Sequence, residues 1–204
     1  IITTDMGLSF VGTHQAFNIR SLSQKLFTNS GHAPMGWGLP AAIGASFAHN
    51  KKRVICLTGD GGLQMNIQEL ATIMHHKLPI MLFIFNNFGY LTIKQTQESG
   101  FEGRIMGANK KSGLSFPDYK KISASYGIRY FKIANNKILY NSLRKILKYN
   151  QPIICELIMS PSQPQIPKLL NRRTKDGKFA IPTSFEDLYP YLKQNQIKKD
   201  LLID

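Results

Sequence analysis

The sequence is short of several things, and each shortage closes a possibility. Two cysteines, Cys56 and Cys155, occur in 204 residues. Both sit in apolar runs that read as buried strands, so no disulfide framework is available, and reduced core thiols in a cytoplasmic protein are expected. No apolar run approaches the ~20 residues of a membrane span, and no leader pattern opens the chain. Acidic residues are scarce, 12 against 26 lysines and arginines, for a net charge of +14. That balance raises nucleic-acid binding. The basic residues are scattered, however, in small clusters such as Lys51-Lys52-Arg53, Lys110-Lys111 and Lys120-Lys121, with no long basic run and no recognition motif. A solvated lysine-rich surface is expected, with no nucleic-acid or membrane partner; some of the charge could steer an anionic substrate.

The chain does have an ordinary 43% hydrophobic content and length for one sizeable domain. Its most informative stretch runs from Gly59 to Asn87. The run Val54-Ile55-Cys56-Leu57 reads as a buried parallel strand. It breaks at Gly59-Asp60-Gly61-Gly62, where glycine permits positive φ and close approach to a ligand. An amphipathic helix follows, with Ile67, Leu70, Ala71 and Met74 at i, i+3, i+4 and i+7 and Asn66 with Glu69 as a capping pair. A second buried strand, Ile80 to Phe85, ends in Asn86-Asn87. In a β-α-β unit both strands finish on one edge of the sheet, so Asp60 and Asn87 come side by side. A carboxylate, an amide oxygen and a backbone carbonyl suit Mg²⁺, and the glycine amides suit phosphate oxygens. The same residues also fit a generic strand-turn-helix in which Asp60 caps the helix and Asn86-Asn87 makes a turn.

GDG joined to NN slightly under thirty residues later resembles the signature of the thiamine diphosphate-dependent enzymes, and GDGGLQMNIQELATI is most similar to the acetolactate synthase branch. The resemblance covers residues 1 to about 192. It implies the thiamine diphosphate-binding fold, and the alternation of strands and helices independently predicts a doubly wound, mostly parallel α/β sheet with helices on both faces. It implies Mg²⁺ held by Asp60, Asn87 and the Gly89 carbonyl. The cofactor diphosphate would lie against Gly7, Leu8, Ser9, Gly61 and Gly62, with Tyr90 and Leu91 also against the cofactor. For Ser9 a cofactor hydroxyl and an ordinary turn serine both remain open.

Asn29 to Ala48 reads as a loop and a slim core helix with a stripe of Leu39, Ile43 and Phe47, opened by Pro40. By resemblance, the Ala33 carbonyl and Met35 amide grip the cofactor's aminopyrimidine ring, and Met35 wedges beneath it. The substrate pocket would take His32, Thr92, Ile93 and Thr96. His32 stands where acetolactate synthases carry an apolar residue; an acid-base role and a plain surface histidine are both open. Gln95-Thr96 replaces the Gln-Trp typical of that branch, which points to a different acceptor or to simple decarboxylation.

Further along, Glu98 to Leu114 reads as a mobile loop or lid, Pro117 to Tyr126 as a helix, Arg129 to Ile133 as a strand, Lys137 to Tyr149 as a basic amphipathic helix and Pro152 to Met159 as the last strand. Residues 1–160 are expected to form the diphosphate-binding domain and 161–204 a C-terminal arm packed on it. The resemblance implies decarboxylation of a 2-oxoacid, with or without carboligation, in a homodimer or tetramer. It also implies that the activating glutamate lies on a pyrimidine-binding domain, which with a middle domain lies upstream of these residues or on a separate subunit. The alternatives are one subunit of a two-chain decarboxylase and a non-catalytic cofactor-binding module.

Overall fold

The computed structural model describes residues 1–170, 172–173, 180–181 and 185–200. The chain divides into two compact units, Ile1–Gln163 and Pro164–Asp204. In the first, the order is β1 (Ile2–Thr4), α1 (Leu8–Ala16), β2 (Leu26–Phe27), α2 (Gly38–Ala48), β3 (Val54–Gly59), α3 (Asp60–Gln64), a 3₁₀ turn at Ile67–Glu69, α4 (Leu70–His76), β4 (Ile80–Asn86), α5 (Leu91–Gly100), α6 (Tyr119–Ser125), β5 (Arg129–Ile133), α7 (Asn136–Ile146) and β6 (Ile153–Ile158). Its six strands form one sheet, ordered β2-β1-β3-β4-β6-β5, and every pairing is parallel.

β4 explains the sheet's stability. Its residues are buried almost throughout, and the period-2 pleat divides them between two cores. Ile80, Leu82 and Ile84 join Leu39, Leu63, Leu70, Ile73 and Tyr119 from the helices on one face. Met81 and Phe83 join Ile146, Ile153 and Cys155 on the other. A strand covered on both faces reads as a continuous apolar run, as this one does; each large side chain so buried contributes about 2 kcal/mol of transfer free energy. Both cysteines lie inside, and burial pushes their thiols up to about 12.

The sheet order reverses between β1 and β3: the chain leaves β1 for β2 on one side and returns to place β3 on the other. Ligands of open α/β sheets bind outside the strand C-termini at such a switch point. Gly59 pairs with Phe85, so the two signature turns do emerge together.

Several expectations are corrected. Phe47 is 41% exposed and stands edge-on to His76, with ring centroids 5.0 Å apart; the buried stripe of α2 is Leu39, Ala42 and Ser46. Asn66 and Glu69 do not cap each other. The Asn66 amide donates to the Gly36 carbonyl at 2.7 Å, and the Glu69 carboxylate accepts from the Thr72 hydroxyl at 2.8 Å. No glycine of the GDGG turn has positive φ. Helix α1 has no apolar periodicity to announce it, since its buried residues are Ser9 and Thr13. Residues Glu98 to Leu114 carry regular structure that the loop reading omits: α5 covers the start, and Asn109 and Ser112 make a reciprocal capping box around a 3₁₀ turn.

In the second unit, β7 (Arg172–Arg173) and β8 (Ala180–Ile181) pair antiparallel, followed by α8 (Gln194–Asp200). Lys168 and Tyr189 exchange backbone hydrogen bonds at 3.1 and 2.8 Å. Among the described residues no helix is long and apolar enough to cross a membrane.

Candidate functional site

Four loops converge at the switch point around a cavity of about 290 Å³. After β1, the cavity takes Met6, Gly7 and Leu8; after β2, Ala33 and Met35; after β3, Gly59 to Gly62; after β4, Asn87 and Gly89 to Ile93. Thirteen of the sixteen residues expected at the cofactor and substrate sites are thus brought together: Gly7, Leu8, Ala33, Met35, Asp60, Gly61, Gly62, Asn87, Gly89, Tyr90, Leu91, Thr92 and Ile93.

The other three lie outside the lining. Ser9 is fully buried in the first turn of α1, and its hydroxyl donates to the Asp5 and Met6 carbonyls at 3.2 and 3.3 Å. His32 is exposed. Thr96 sits one turn further along α5, exposed, with its hydroxyl donating to the Thr92 carbonyl at 3.0 Å. Its neighbour Gln95 donates to the Gln163 carbonyl instead.

The glycines are explained by crowding. A Cβ on Gly61 would stand 2.1 Å from the Tyr90 ring and 3.2 Å from the Met35 methyl, and one on Gly89 would stand 2.3 Å from the Ala108 carbonyl oxygen. That oxygen is backbone and accepts the Tyr90 amide at 2.8 Å, so it cannot swing aside. Gly89→Ala is expected to cost about 2–3 kcal/mol in urea unfolding. Gly44→Ala, in α2 with open space around it, should be neutral or gain up to about 1 kcal/mol. Equal stability of the two variants would refute the contact.

Asp60 is 2% exposed. Its Oδ1 accepts from the Gly61 amide at 2.8 Å and its Oδ2 from the Gly89 amide at 3.1 Å, so the carboxylate ties the two signature turns together. The Tyr119 hydroxyl donates to its carbonyl at 2.6 Å. Asn87 is 6% exposed, and its Oδ1 is buried without any hydrogen-bond partner. An orphaned buried amide oxygen costs free energy unless something occupies it. Beside an Asp carboxylate and in an all-oxygen donor set, that something fits a hard divalent cation. Its neighbour Asn86 takes no part in the cavity. Its amide donates to Glu156, whose other oxygen accepts the Tyr130 hydroxyl, and its Oδ1 accepts the Phe88 amide at 3.0 Å. A larger cavity, about 690 Å³, lies behind this turn but holds none of the motif glycines.

Burial pushes the Asp60 carboxyl up to about 6, against the pull of the Gly61, Gly89, Phe88 and Asn87 amides. A cation needs the anion, so divalent-metal affinity should rise about tenfold per unit between pH 4 and 6 and flatten above. The linkage to stability has the opposite sense. With the folded value raised, this group's contribution is fully present below its ordinary value near 3.8 and is lost as pH rises through about 6. In metal-free melts at pH 4.5 and 7.5, the difference between parent and Asp60→Asn should shift toward the variant at the higher pH. A difference that does not change with pH would contradict a buried, titrating Asp60.

Asp5, Tyr119 and Glu156 escape the sequence reading, and Asn66 enters it only as half of a capping pair. Asp5 alone carried a signal, an isolated acid closing an apolar strand in an acid-poor chain, as Asp60 does.

A family model, thiamine pyrophosphate enzyme, C-terminal TPP binding domain, matches residues 5–157. The chain is similar to the acetolactate synthase large subunit of Cyanidium caldarium, 36% identical over 156 residues, covering 75% of this chain and 26% of that protein. It is also similar to the acetolactate synthase large subunit of Lactococcus lactis, 35% identical over 172 residues (83% and 28%). The chain thus spans about a quarter of the length of the curated relatives it matches. With the all-parallel sheet, the four-loop cavity and these matches together, the chain belongs to the thiamine pyrophosphate enzymes, as a C-terminal TPP-binding domain of the acetolactate synthase-like kind.

Proposed function

We propose that this chain supplies the diphosphate half of the active site of a Mg²⁺-dependent enzyme that decarboxylates a 2-oxoacid. The observation that carries this reading is the orphaned Asn87 Oδ1 beside Asp60 and Gly89. Asp60, Asn87 and the Gly89 carbonyl would hold Mg²⁺, and amides of the Gly7 and Gly61-Gly62 turns would face the diphosphate. Met35, whose methyl stands 3.2 Å from where a Cβ on Gly61 would lie, would support the ring end with Ala33. When bound, thiamine diphosphate supplies the electron sink that lets a 2-oxoacid lose CO₂. The chain's own residues bind and orient it, and Tyr90, Leu91 and Ile93 keep water from one side of the cavity.

In this reading residues 1–160 are the diphosphate-binding domain and 161–204 a C-terminal arm. The quarter-length match to the relatives supports further domains, on the same chain or a partner subunit, completing a cytoplasmic dimer or tetramer. A two-chain enzyme fits that observation equally.

Thr92 and Ile93 line the cavity while Thr96 does not, so specificity would rest on the first turn of α5. No indole narrows it, and a wider pocket takes bulkier or more polar acceptors. The complete enzyme, assayed with a panel of 2-oxoacids, should release CO₂ and should make acetolactate from pyruvate alone only poorly. Efficient acetolactate formation would overturn the specificity, and no decarboxylation of any 2-oxoacid would overturn the function.

A further inference from the structure

Three of the cavity's loops meet at a carboxylate outside its lining. Asp5 directly follows β1 and is 2% exposed. Its Oδ1 accepts the Met6 amide at 2.7 Å and the Gly36 amide at 2.8 Å, and its Oδ2 accepts the Thr58 hydroxyl at 2.8 Å. Each partner adjoins the lining: Met6 precedes Gly7, Gly36 follows Met35, and Thr58 precedes Gly59-Asp60. The parallel ladder cannot make these links. β1 and β2 stop pairing at Thr3 with Phe27, β1 and β3 stop at Thr4 with Leu57, and beyond that β1 gives way to its loop while β3 runs on to Gly59 paired with β4.

The surroundings are shaped to admit this side chain. A Cβ on Gly62 would stand 2.5 Å from Asp5 Oδ2, and one on Gly38 would stand 3.0 Å from the Asp5 amide nitrogen. The Gly36 peptide is fixed from both ends, its amide by Asp5 and its carbonyl by Asn66, at φ +88. A buried carboxylate is costly to desolvate, and only strong hydrogen bonds from otherwise unsatisfied donors offset that cost.

We propose that Asp5 is a positioning residue that sets the spacing between the Met35 loop and the Asp60 turn, and thereby the shape of the cofactor cavity. This rests on the reading that the cavity holds thiamine diphosphate and Mg²⁺. Asp5 touches neither; it acts through Gly36 and Thr58.

The test uses two readouts on the purified chain. Trp37, the sole tryptophan, follows Gly36 directly, so acrylamide quenching of its fluorescence reports the loop without any cofactor. Calorimetric titration with thiamine diphosphate in excess Mg²⁺ reports the cavity. Asp5→Leu keeps the branched shape, with somewhat more bulk, and removes both acceptors. It should make Trp37 more quenchable and weaken cofactor binding at least about tenfold, with helix content unchanged. Asp5→Asn and Thr58→Val both cut the Oδ2 link, the former also taking the charge from Oδ1, and should each cost about threefold in affinity or somewhat more. Their combination should cost less than the sum of the two, because both cut that one interaction.

A folded Asp5→Leu with the parent's quenching and affinity would overturn the proposal. If that variant fails to fold, the cycle decides: full additivity of the two mild variants overturns it, and non-additivity supports it. A completed parent enzyme that shows no Mg²⁺-dependent binding sinks the reading of the cavity, while Trp37 quenching on the chain still judges whether Asp5 holds the loop.

Discussion

Asp60→Ala is expected to abolish Mg²⁺-dependent binding of thiamine diphosphate, weakening it by at least about a hundredfold, while the fold survives. A divalent ion facing a diphosphate needs an anionic anchor, and in a buried site the charge interaction is weakly screened. Asp60 is the only carboxylate among the described residues lining the cavity. Its loss also frees the Gly61 and Gly89 amides, which it holds at 2.8 and 3.1 Å, so the metal ligand and the geometry of both turns go together. Asn87→Ala removes a neutral ligand and should cost about tenfold, in line with the loss of one good polar contact. It should also relieve a buried oxygen that has no partner, leaving the metal-free chain no less stable. Calorimetry with and without Mg²⁺ checks both. Cofactor binding by Asp60→Ala equal to the parent's would show that the site is misassigned.

The second large effect is an expected zero. This chain by itself should bind the cofactor weakly and turn over no 2-oxoacid. Activation of the cofactor requires an acid at its aminopyrimidine ring, and the chain's well-placed carboxylates are engaged elsewhere. Asp5 serves three donors, Glu69 accepts from Thr72, Asp118 caps α6 through the Lys120 and Lys121 amides, and Glu156 holds Asn86 and Tyr130. An unclosed pocket would also leave a reacting centre open to water. CO₂ release from a 2-oxoacid panel, measured with the chain and with the completed enzyme, decides the matter. Robust release by the chain alone would overturn the proposal that further domains complete the site.

The sheet and most of the cavity were legible because they rest on local and periodic signals. β4 announces itself by an unbroken apolar run, and GDG and NN mark the two strand ends whose register, Gly59 with Phe85, makes them neighbours. What stayed hidden depends on partners far away in sequence. Nothing near Asn66 says that it will reach back to Gly36, and a capping pair with Glu69 is the better local guess. Phe47 fits an apolar stripe by spacing, but α2 meets the sheet with Leu39 and Ala42, which turns Phe47 outward. The glycines of the GDGG turn were expected to bend the backbone. Gly61 and Gly62 instead make room for Tyr90 and Asp5, a steric need that no dihedral argument reveals.

The reversal of strand order between β1 and β3 bears on how the protein folds and how a ligand protects it. The cavity's ties span long stretches of chain: 31 residues from Asp5 to Gly36, 53 from Asp5 to Thr58, 29 from Asp60 to Gly89 and 59 from Tyr119 to Asp60. Contacts of that separation form only after the loops between them have closed. The pocket should therefore be among the last parts to form and among the first to open when the sheet frays at β2. A ligand seated there touches loops from four strands and can remain bound only while all four are docked. Its binding free energy then adds to every opening that separates them, and amide hydrogen exchange should slow across the whole sheet, including β4, far beyond the cofactor's own contacts.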